Sequence, residues 1–173
     1  AGAGFTVGAG GTGSMLVDQG AAITIDGRAT SQPTGFAVGG SRTSLAGGTG
    51  DLTVDGVGSS ITILGTQKGF NVGFDNTCLG GGPCNLPSTG TLTVSNGGQV
   101  VTDPDNRSGV GGTPGSTGTL IVEGNASLVD AGAFLGLGKD RDGNPGGAAT
   151  LTVSAGGTVK AAVINCGAGA TIN

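Results

Sequence analysis

Apolar and polar residues alternate in short runs that return along the whole chain. The run GTLTVSNGGQV (90–100) alternates, breaks at Asn96, Gly97 and Gly98, and then resumes with an apolar residue. Related runs are GSMLVDQGAAI (13–23), GDLTVDGVGSSI (50–61), GTLIVEGNASL (118–128) and ATLTVSAGGTV (149–159). Strict alternation predicts a half-buried β-strand, so each run predicts two short strands joined by a Gly-rich break.

The runs recur at a period typical of stacked repeats. Aligned on the last valine of the LTV-like phrase, they are separated by 37, 40, 28 and 31 residues; these valines are Val17, Val54, Val94, Val122 and Val153. A second phrase precedes each one: FTVG (5–8), FAVG (36–39), FNVG (70–73), SGVG (108–111) and LGLG (135–138). Self-similarity at such a period indicates a solenoid or another repeat array.

Three short strands per repeat suit a chain in which each repeat makes one lap and stacks on the lap before it. We therefore predict an all-β fold, a single-stranded, right-handed parallel β-helix (β-solenoid) of about five coils. It would form one domain over residues 1–173, with coils at about 1–30, 31–66, 67–104, 105–131 and 132–160 and a partial coil at 161–173. Alternate residues such as Leu92 and Val94 are expected to face the core, and their Thr neighbours to face out.

The repeats differ in length mainly after the F-x-V-G phrase, at residues 40–49, 74–89, 112–117 and 139–148. We expect these segments to form loops of unequal length along one edge of the column. One-sided insertions in repeat proteins are often binding sites, which makes a surface or carbohydrate ligand on these loops one hypothesis. Neutral drift in solvated loops is the alternative.

Amino-acid composition limits the classes of partner that are expected. Of 173 residues, 41 are glycine, five are aromatic, 11 are acidic and seven are basic, for a net charge of -4. No basic stripe is available for a phosphate backbone, so nucleic acid is not an expected partner. No apolar run approaches the ~18 residues that span a bilayer, so no membrane span is expected.

The alternation of F-x-V-G with G-x-L-T-V-x-x-G-G-x-V resembles the repeat shared by PEP-CTERM surface proteins and type V secretion (autotransporter) passengers. The resemblance extends over essentially the whole chain, in five successive copies. It implies an exported bacterial-type β-helical stalk or adhesin, extracellular or on the cell surface, and brings no catalytic residues. The small residues at Ala1–Gly4 fit export, because signal peptidase cleaves after small residues. Excision from a longer protein is the alternative.

Three cysteines fit an oxidising compartment. Cys78 and Cys84 lie in CLGGGPC, which is short and flexible enough to close a small disulfide. Cys166 is about three coils away, or ~14 Å along the axis, beyond the ~7 Å limit between disulfide-bonded Cα atoms. We predict an intermolecular or free thiol for Cys166. A metal site built from these cysteines is disfavoured, because the chain has no histidine.

Catalysis is not expected. The chain has no His, Tyr or Trp and a single Glu, Glu123, so the usual general bases are missing except Asp and Lys. Asp18, Asp55 and Glu123 follow the LTV-like phrase and could line up across coils, as the carboxylates of a carbohydrate-active β-helix would. We expect them instead to cap turns through their side-chain oxygens, as acids at strand ends commonly do.

One loop has spacing suited to Ca²⁺. KDRDGN (139–144) places Asp140, Asp142 and Asn144 at alternate positions, where their oxygens could bind the ion. An EF-hand is excluded, because Pro145 and Leu151 stand where the conserved Gly and the bidentate acid would be needed. A weaker Ca²⁺ loop remains one hypothesis, and DPDN (103–106) is a second such place. A plain polar turn is the alternative for both.

The function predicted from sequence is structural or adhesive. No capping segment is evident at either end of the column, so we expect either that the chain is excised from a longer protein or that its ends pair with other copies into a fibre. A carbohydrate-active β-helix that binds or cleaves polysaccharide is the first alternative. An ice-binding solenoid is the second, because T-x-T pairs such as Thr91 with Thr93 and Thr150 with Thr152 recur in the strands. The Thr ladder is interrupted at Asp51 and at other positions.

Overall fold

The structure, a computed structural model, describes residues 4–29, 35–40, 47–65, 69–74, 87–140 and 142–173. Within these ranges all regular elements are β-strands, arranged in three parallel sheets that we call A, B and C. Sheet A contains β1 (Gly4–Val7), β4 (Gly35–Val38), β7 (Asn71–Val72), β10 (Arg107–Val110), β13 (Phe134–Leu137) and β16 (Val163–Cys166). Sheet B contains β2 (Thr12–Val17), β5 (Thr49–Asp55), β8 (Thr89–Ser95), β11 (Thr117–Glu123), β14 (Ala148–Ser154) and β17 (Ala170–Ile172). Sheet C contains β3 (Ala22–Asp26), β6 (Ser60–Leu64), β9 (Gln99–Thr102), β12 (Leu128–Asp130) and β15 (Thr158–Lys160).

The chain passes through sheets A, B and C in turn and then begins the next coil. Within each sheet, every strand pairs with the strand three elements later in the chain, always in parallel. The predicted parallel β-solenoid is therefore confirmed, with five coils of three strands and a sixth coil with strands in sheets A and B.

Alternation within each strand separates the core from the surface. In sheet B the register places Leu52, Leu92, Leu120 and Leu151 in one row, and the first three are at most 1% exposed. The threonines beside them are only half-buried. Branched aliphatic side chains thus stack from coil to coil along the axis and form most of the hydrophobic core of the described residues.

The first three coils each place a phenylalanine in the same inner row of sheet A. The rings of Phe5 and Phe36 are stacked with centroids 5.3 Å apart, and those of Phe36 and Phe70 are 5.5 Å apart. The next coil breaks the aromatic row with Ser108, whose Oγ accepts a hydrogen bond from the backbone N–H of Phe70 at 3.3 Å. A buried serine is tolerated there because its hydroxyl has a partner.

The four central strands of sheet A are buried on both faces, which the sequence did not predict. Outward positions such as Ala37, Asn71 and Gly109 are buried, and a Cβ on Gly109 would lie 3.6 Å from the Lys139 carbonyl oxygen. Lys139 and Asp140, which follow β13, therefore lie over the outer face of the sheet near Gly109 and Gly136. The length-variable loop of that coil covers a sheet face, whereas we expected it along an edge.

Repeat length also varies at a second place. The connection from sheet C to sheet A shortens from residues 27–34 in the first coil to 65–70, 103–106, 131–133 and finally 161–162. The expectation that length varies mainly after the F-x-V-G phrase was therefore incomplete. Strand alternation does not reveal this change, because the segments involved carry no periodic apolar residues.

The corner from sheet B to sheet C keeps a nearly constant length and alternates between two forms. In the third coil Gly98 N–H donates to Ser95 O at 2.9 Å, and φ is 52° at Asn96 and 90° at Gly97, which defines a type I′ turn. The first and fifth coils repeat this form. The second and fourth coils use one residue more, and their turns end at Ser59 and Ser127.

No helix long and apolar enough to cross a membrane occurs among the described residues.

Candidate functional site

Carboxylates at the sheet B corner are bonded to the neighbouring coil. Asp55 Oδ1 accepts hydrogen bonds from Ser95 Oγ at 2.6 Å and from Asn96 Nδ2 at 2.8 Å, both in the next coil. These bonds, that of Ser95 first, favour the ionised carboxylate and lower the pKa of Asp55 below its ordinary value of 3.8. Asp55 thus joins two coils through side-chain hydrogen bonds, whereas we expected it to cap its own turn.

Asp55 and Glu123 line up at this corner but are not a close pair, and Asp18 follows Val17, the register partner of Val54. Register places Asp55 opposite Ser95 and Ser95 opposite Glu123. Asp55 and Glu123 are therefore two coils apart, about 9–10 Å at the usual spacing of strands. Ser154 follows Glu123 in the next coil. Alternating acids and serines give a ladder of hydrogen-bonding groups along the axis.

Two more carboxylates close the turns that lead from sheet C to sheet A. Asp103 Oδ2 accepts a hydrogen bond at 2.6 Å from the backbone N–H of Gly65, one coil earlier. Asp130 Oδ1 accepts one at 3.1 Å from the N–H of Gly132. Each bond satisfies a backbone donor that the end of a strand leaves without a ladder partner.

Asp26 and Arg28 form an exposed ion pair at the same corner of the first coil. The guanidinium donates from Nη2 to Asp26 Oδ2 at 2.6 Å and from Nε to Oδ1 at 3.0 Å, and the backbone N–H of Arg28 also donates to Oδ1 at 3.0 Å. The side-chain bond of Arg28 is the largest cause that lowers the pKa of Asp26 to about 2. Exposed pairs of this kind add little to stability.

The three residues of the predicted Ca²⁺ loop lie together in the segment 138–147. Asp140 Oδ1 accepts hydrogen bonds from the backbone N–H of Asp142 (2.9 Å) and of Asn144 (2.8 Å), and its Oδ2 accepts one from Asn144 Nδ2 (2.8 Å). Asn144 thus points its amide nitrogen at Asp140, as in a polar turn. Among the described residues, no three His, Cys, Asp or Glu side chains are grouped to hold a metal. A Ca²⁺ site stays a prediction.

Arg107 ties that loop to sheet A. Its Nη1 lies 3.4 Å from Asp142 Oδ1, and its guanidinium carbon lies 5.0 Å from the ring centroid of Phe134. Within the loop, Lys139 Nζ donates to the Gly143 carbonyl oxygen at 3.1 Å. Two basic side chains therefore hold the loop in place by contacts with a ring, a carboxylate and a carbonyl.

The cysteines are divided between described and undescribed residues. Cys78 and Cys84 lie outside the described residues, so their disulfide stays a prediction. Cys166 is exposed and not in a disulfide. It ends β16, opposite Leu137, in the row whose earlier members line the core. Cys166 therefore occupies an inner position of the sixth coil.

The outer face of sheet B carries columns of threonines, with Asp51 and Ile121 among the residues that interrupt them. Register sets Thr91, Thr119 and Thr150 in one column, with Thr93 and Thr152 in a second column on either side of Ile121. A third column precedes them along the strands and is exposed; its threonines are Thr12, Thr49, Thr89 and Thr117. We missed this column in the sequence, where the signal was the Thr-Gly pair before most of the LTV-like phrases.

Core side chains are partly exposed in the first coil and the sixth coil. Phe5 and Met15 are half-buried, whereas their register partners Phe36 and Leu52 are at most 1% exposed. Phe5 and Met15 line an open depression of about 420 Å³. In the sixth coil Ile164 is 44% exposed and Ile172 is 56% exposed. Both surfaces are inner rows that no other described strand covers.

In comparisons with known proteins, no family model, curated protein or solved structure matches the chain.

Proposed function

We propose that the chain is a non-enzymatic structural or adhesive β-solenoid, displayed extracellularly or on a cell surface, whose copies associate through the ends of the column. The observation that carries the proposal is the exposure of the same inner rows in the first and sixth coils that are buried between all other coils. Partial exposure of Phe5 and Ile164 leaves apolar surface and strand edges that can pair with another chain.

The coil-to-coil register specifies how two copies would meet. In sheet A, β16 of one copy would lie beside β1 of the next, which sets Ile164 opposite Phe5 and Cys166 opposite Val7. Sheet C has five strands where sheets A and B have six, so sheets A and B would make the contact. An association of this kind is heterologous and extends into a fibre.

The carboxylates support a structural role. Asp26, Asp55, Asp103, Asp130 and Asp140 all accept hydrogen bonds that close turns or join coils. They are distributed over separate corners and loops. A carbohydrate-active β-helix needs acids that face one cleft, and the arrangement gives that alternative less support.

Cysteine cross-linking tests the end-to-end association. The test chain carries Val7→Cys, with Cys78→Ser and Cys84→Ser to remove the loop thiols. Partner Cα atoms in parallel strands are about 4.8 Å apart, within the range that a disulfide bridges. Oxidation should therefore give a ladder of cross-linked multimers on a non-reducing gel.

The control for this experiment is Thr6→Cys in the same background. Thr6 lies on the outer side of β1, and its partner across the contact would be Asn165, so only Cys166-linked dimers are expected. Light scattering over a concentration series gives an independent reading of size. A monomer at every concentration, with no ladder from Val7→Cys, would overturn the proposed association.

A second candidate function, ice binding, is favoured by the third threonine column. Threonines on a parallel sheet repeat at about 4.8 Å between coils and about 6.6 Å between alternate residues of a strand. The array offers hydroxyl and methyl groups at two fixed spacings, which suits a flat crystalline surface. Thermal hysteresis should be present in the wild type, lost in Thr119→Lys and kept in Thr62→Lys, which lies on sheet C. Absence of hysteresis in the wild type would eliminate this candidate.

A further inference from the structure

The sheet B corner of the third coil contains Asn96 followed by Gly97. An Asn-Gly pair is prone to deamidation, because glycine has no side chain to hinder its own nitrogen. The deprotonated Gly97 nitrogen attacks Cγ of Asn96, a C–N bond forms, and the amide nitrogen leaves as ammonia. Water then opens the resulting succinimide at either carbonyl and gives aspartate or isoaspartate.

The attacking nitrogen is held by the coil that follows. Gly97 N–H donates to Ser127 Oγ at 2.9 Å, and Ser127 Oγ in turn donates to the Glu123 carbonyl oxygen at 2.6 Å. Ser127 is fully buried. A buried N–H in such a bond loses its proton to solvent only after the corner opens locally.

The amide that would be attacked is held by the coil that precedes. Asn96 Nδ2 donates to Asp55 Oδ1 at 2.8 Å, while the type I′ turn fixes the backbone between the two groups. The second coil and the fourth coil lie on opposite sides of the third. The Asn96 amide is therefore hydrogen-bonded to the coil before it, and the Gly97 N–H is hydrogen-bonded to the coil after it.

We propose that Asn96–Gly97 is a latent deamidation site, kept unreactive by Ser127 on one side and Asp55 on the other. Reaction would place a second carboxylate beside Asp55, and isoaspartate would insert a methylene into the corner backbone. Either product would disrupt the contact between three successive coils. The inference does not depend on what the column binds.

The first two coils provide a matched control. There Gly20 N–H donates to Ser59 Oγ at 3.0 Å, and Ser59 is fully buried like Ser127. The residue before Gly20 is Gln19, whose longer side chain cyclises far more slowly than asparagine. Ser59 contacts the third coil through its backbone carbonyl oxygen, which accepts from the N–H of Gln99 at 3.0 Å. Ser59→Ala therefore removes the equivalent side-chain contact and leaves the hydrogen bonds of Asn96 and Gly97 in place.

The test is deamidation at Asn96 in the full chain at mildly alkaline pH, followed by peptide mapping with mass spectrometry and by enzymatic methylation of isoaspartate. Wild type in native buffer should react at least about tenfold more slowly than in urea, since reaction requires local opening. Ser127→Ala should raise the rate in native buffer several-fold, and Ser59→Ala should leave it unchanged.

Three outcomes would overturn the proposal. The folded wild type could react as fast as the chain in urea, or Ser127→Ala could leave the rate unchanged. An equal acceleration by Ser59→Ala would show that overall stability, rather than the bond to Gly97, controls the reaction. Urea unfolding of both variants would verify that their losses of stability are comparable.

Discussion

Replacing Gly90 by alanine tests how closely the coils approach one another. Gly90 lies in β8, in a row of sheet B that contains glycine in the first four coils and Ala149 in the fifth. A Cβ on Gly90 would press on the Val38 carbonyl oxygen and lie 2.5 Å from the Gly73 nitrogen. These two atoms are joined by a backbone hydrogen bond of 2.8 Å.

The expected loss of stability follows from that geometry. Overpacking of a rigid backbone costs about 1–3 kcal/mol, and weakening a buried hydrogen bond costs about 1–3 kcal/mol more. Alanine recovers about 0.4–1 kcal/mol by restricting the unfolded chain. We expect Gly90→Ala to lower the free energy of unfolding by about 1–5 kcal/mol.

Far-ultraviolet circular dichroism in urea is a suitable assay, because the chain has no Trp or Tyr for fluorescence. Gly11→Ala is the control, since a Cβ at Gly11 meets no atom within 4 Å, and its change should stay within about 0.5 kcal/mol. The denaturant slope should be equal in both variants, which keeps the comparison valid. A Gly90→Ala midpoint close to that of Gly11→Ala would refute the reasoning on close approach.

Three further predictions concern single residues. Because the pKa of Asp55 is lowered in the fold, its contribution to stability is complete above pH 3.8 and is lost as the pH falls through the folded pKa. The melting temperatures of wild type and Asp55→Asn should therefore differ in buffers above pH 3.8 and become equal in buffers below the folded pKa. Ala155 has a φ of 50° at the position that Asn96 occupies in the third coil, so Ala155→Asn should stabilise the chain by about 0.5–1 kcal/mol, measured by urea unfolding. Arg28→Ala should raise the pKa of Asp26 from about 2 toward 3.8, read by NMR titration, and a melting temperature that fell markedly would contradict the small stability role of this exposed pair.

The fold could be predicted because its signal is local and repeated. The alternation at Leu52 and Val54, with a Gly-rich break after it, returns often enough to specify strands, corners and a common lap. Register between coils then follows from keeping each Leu row inside. Side-chain contacts between coils could not be predicted, because they depend on which residues lie opposite one another in coils of unequal length. The hydrogen bond from Gly97 to Ser127 is an example.

The double burial of sheet A illustrates the same limit. Small outward residues such as Ala37 and Gly109 were visible in the sequence, but small size fits an exposed strand as well as a covered one. At Gly109, the position of Lys139 after β13 decides between the two. The roles of Asp140 and Asn144 also depend on side-chain direction, because spacing alone fits both a polar turn and an ion site.

The parallel ladder has a mechanical consequence. Hydrogen bonds between coils lie along the column axis, while the chain itself runs across that axis. Tension applied to the two chain termini would therefore act on the terminal coil first and break its hydrogen bonds to the next coil before any other coil is loaded. Each coil contains about 28–40 residues, so every release would lengthen the tether by about 100–140 Å. The column would yield in successive small steps and dissipate work at each one, which is a property useful to a protein that is anchored at one end and pulled at the other.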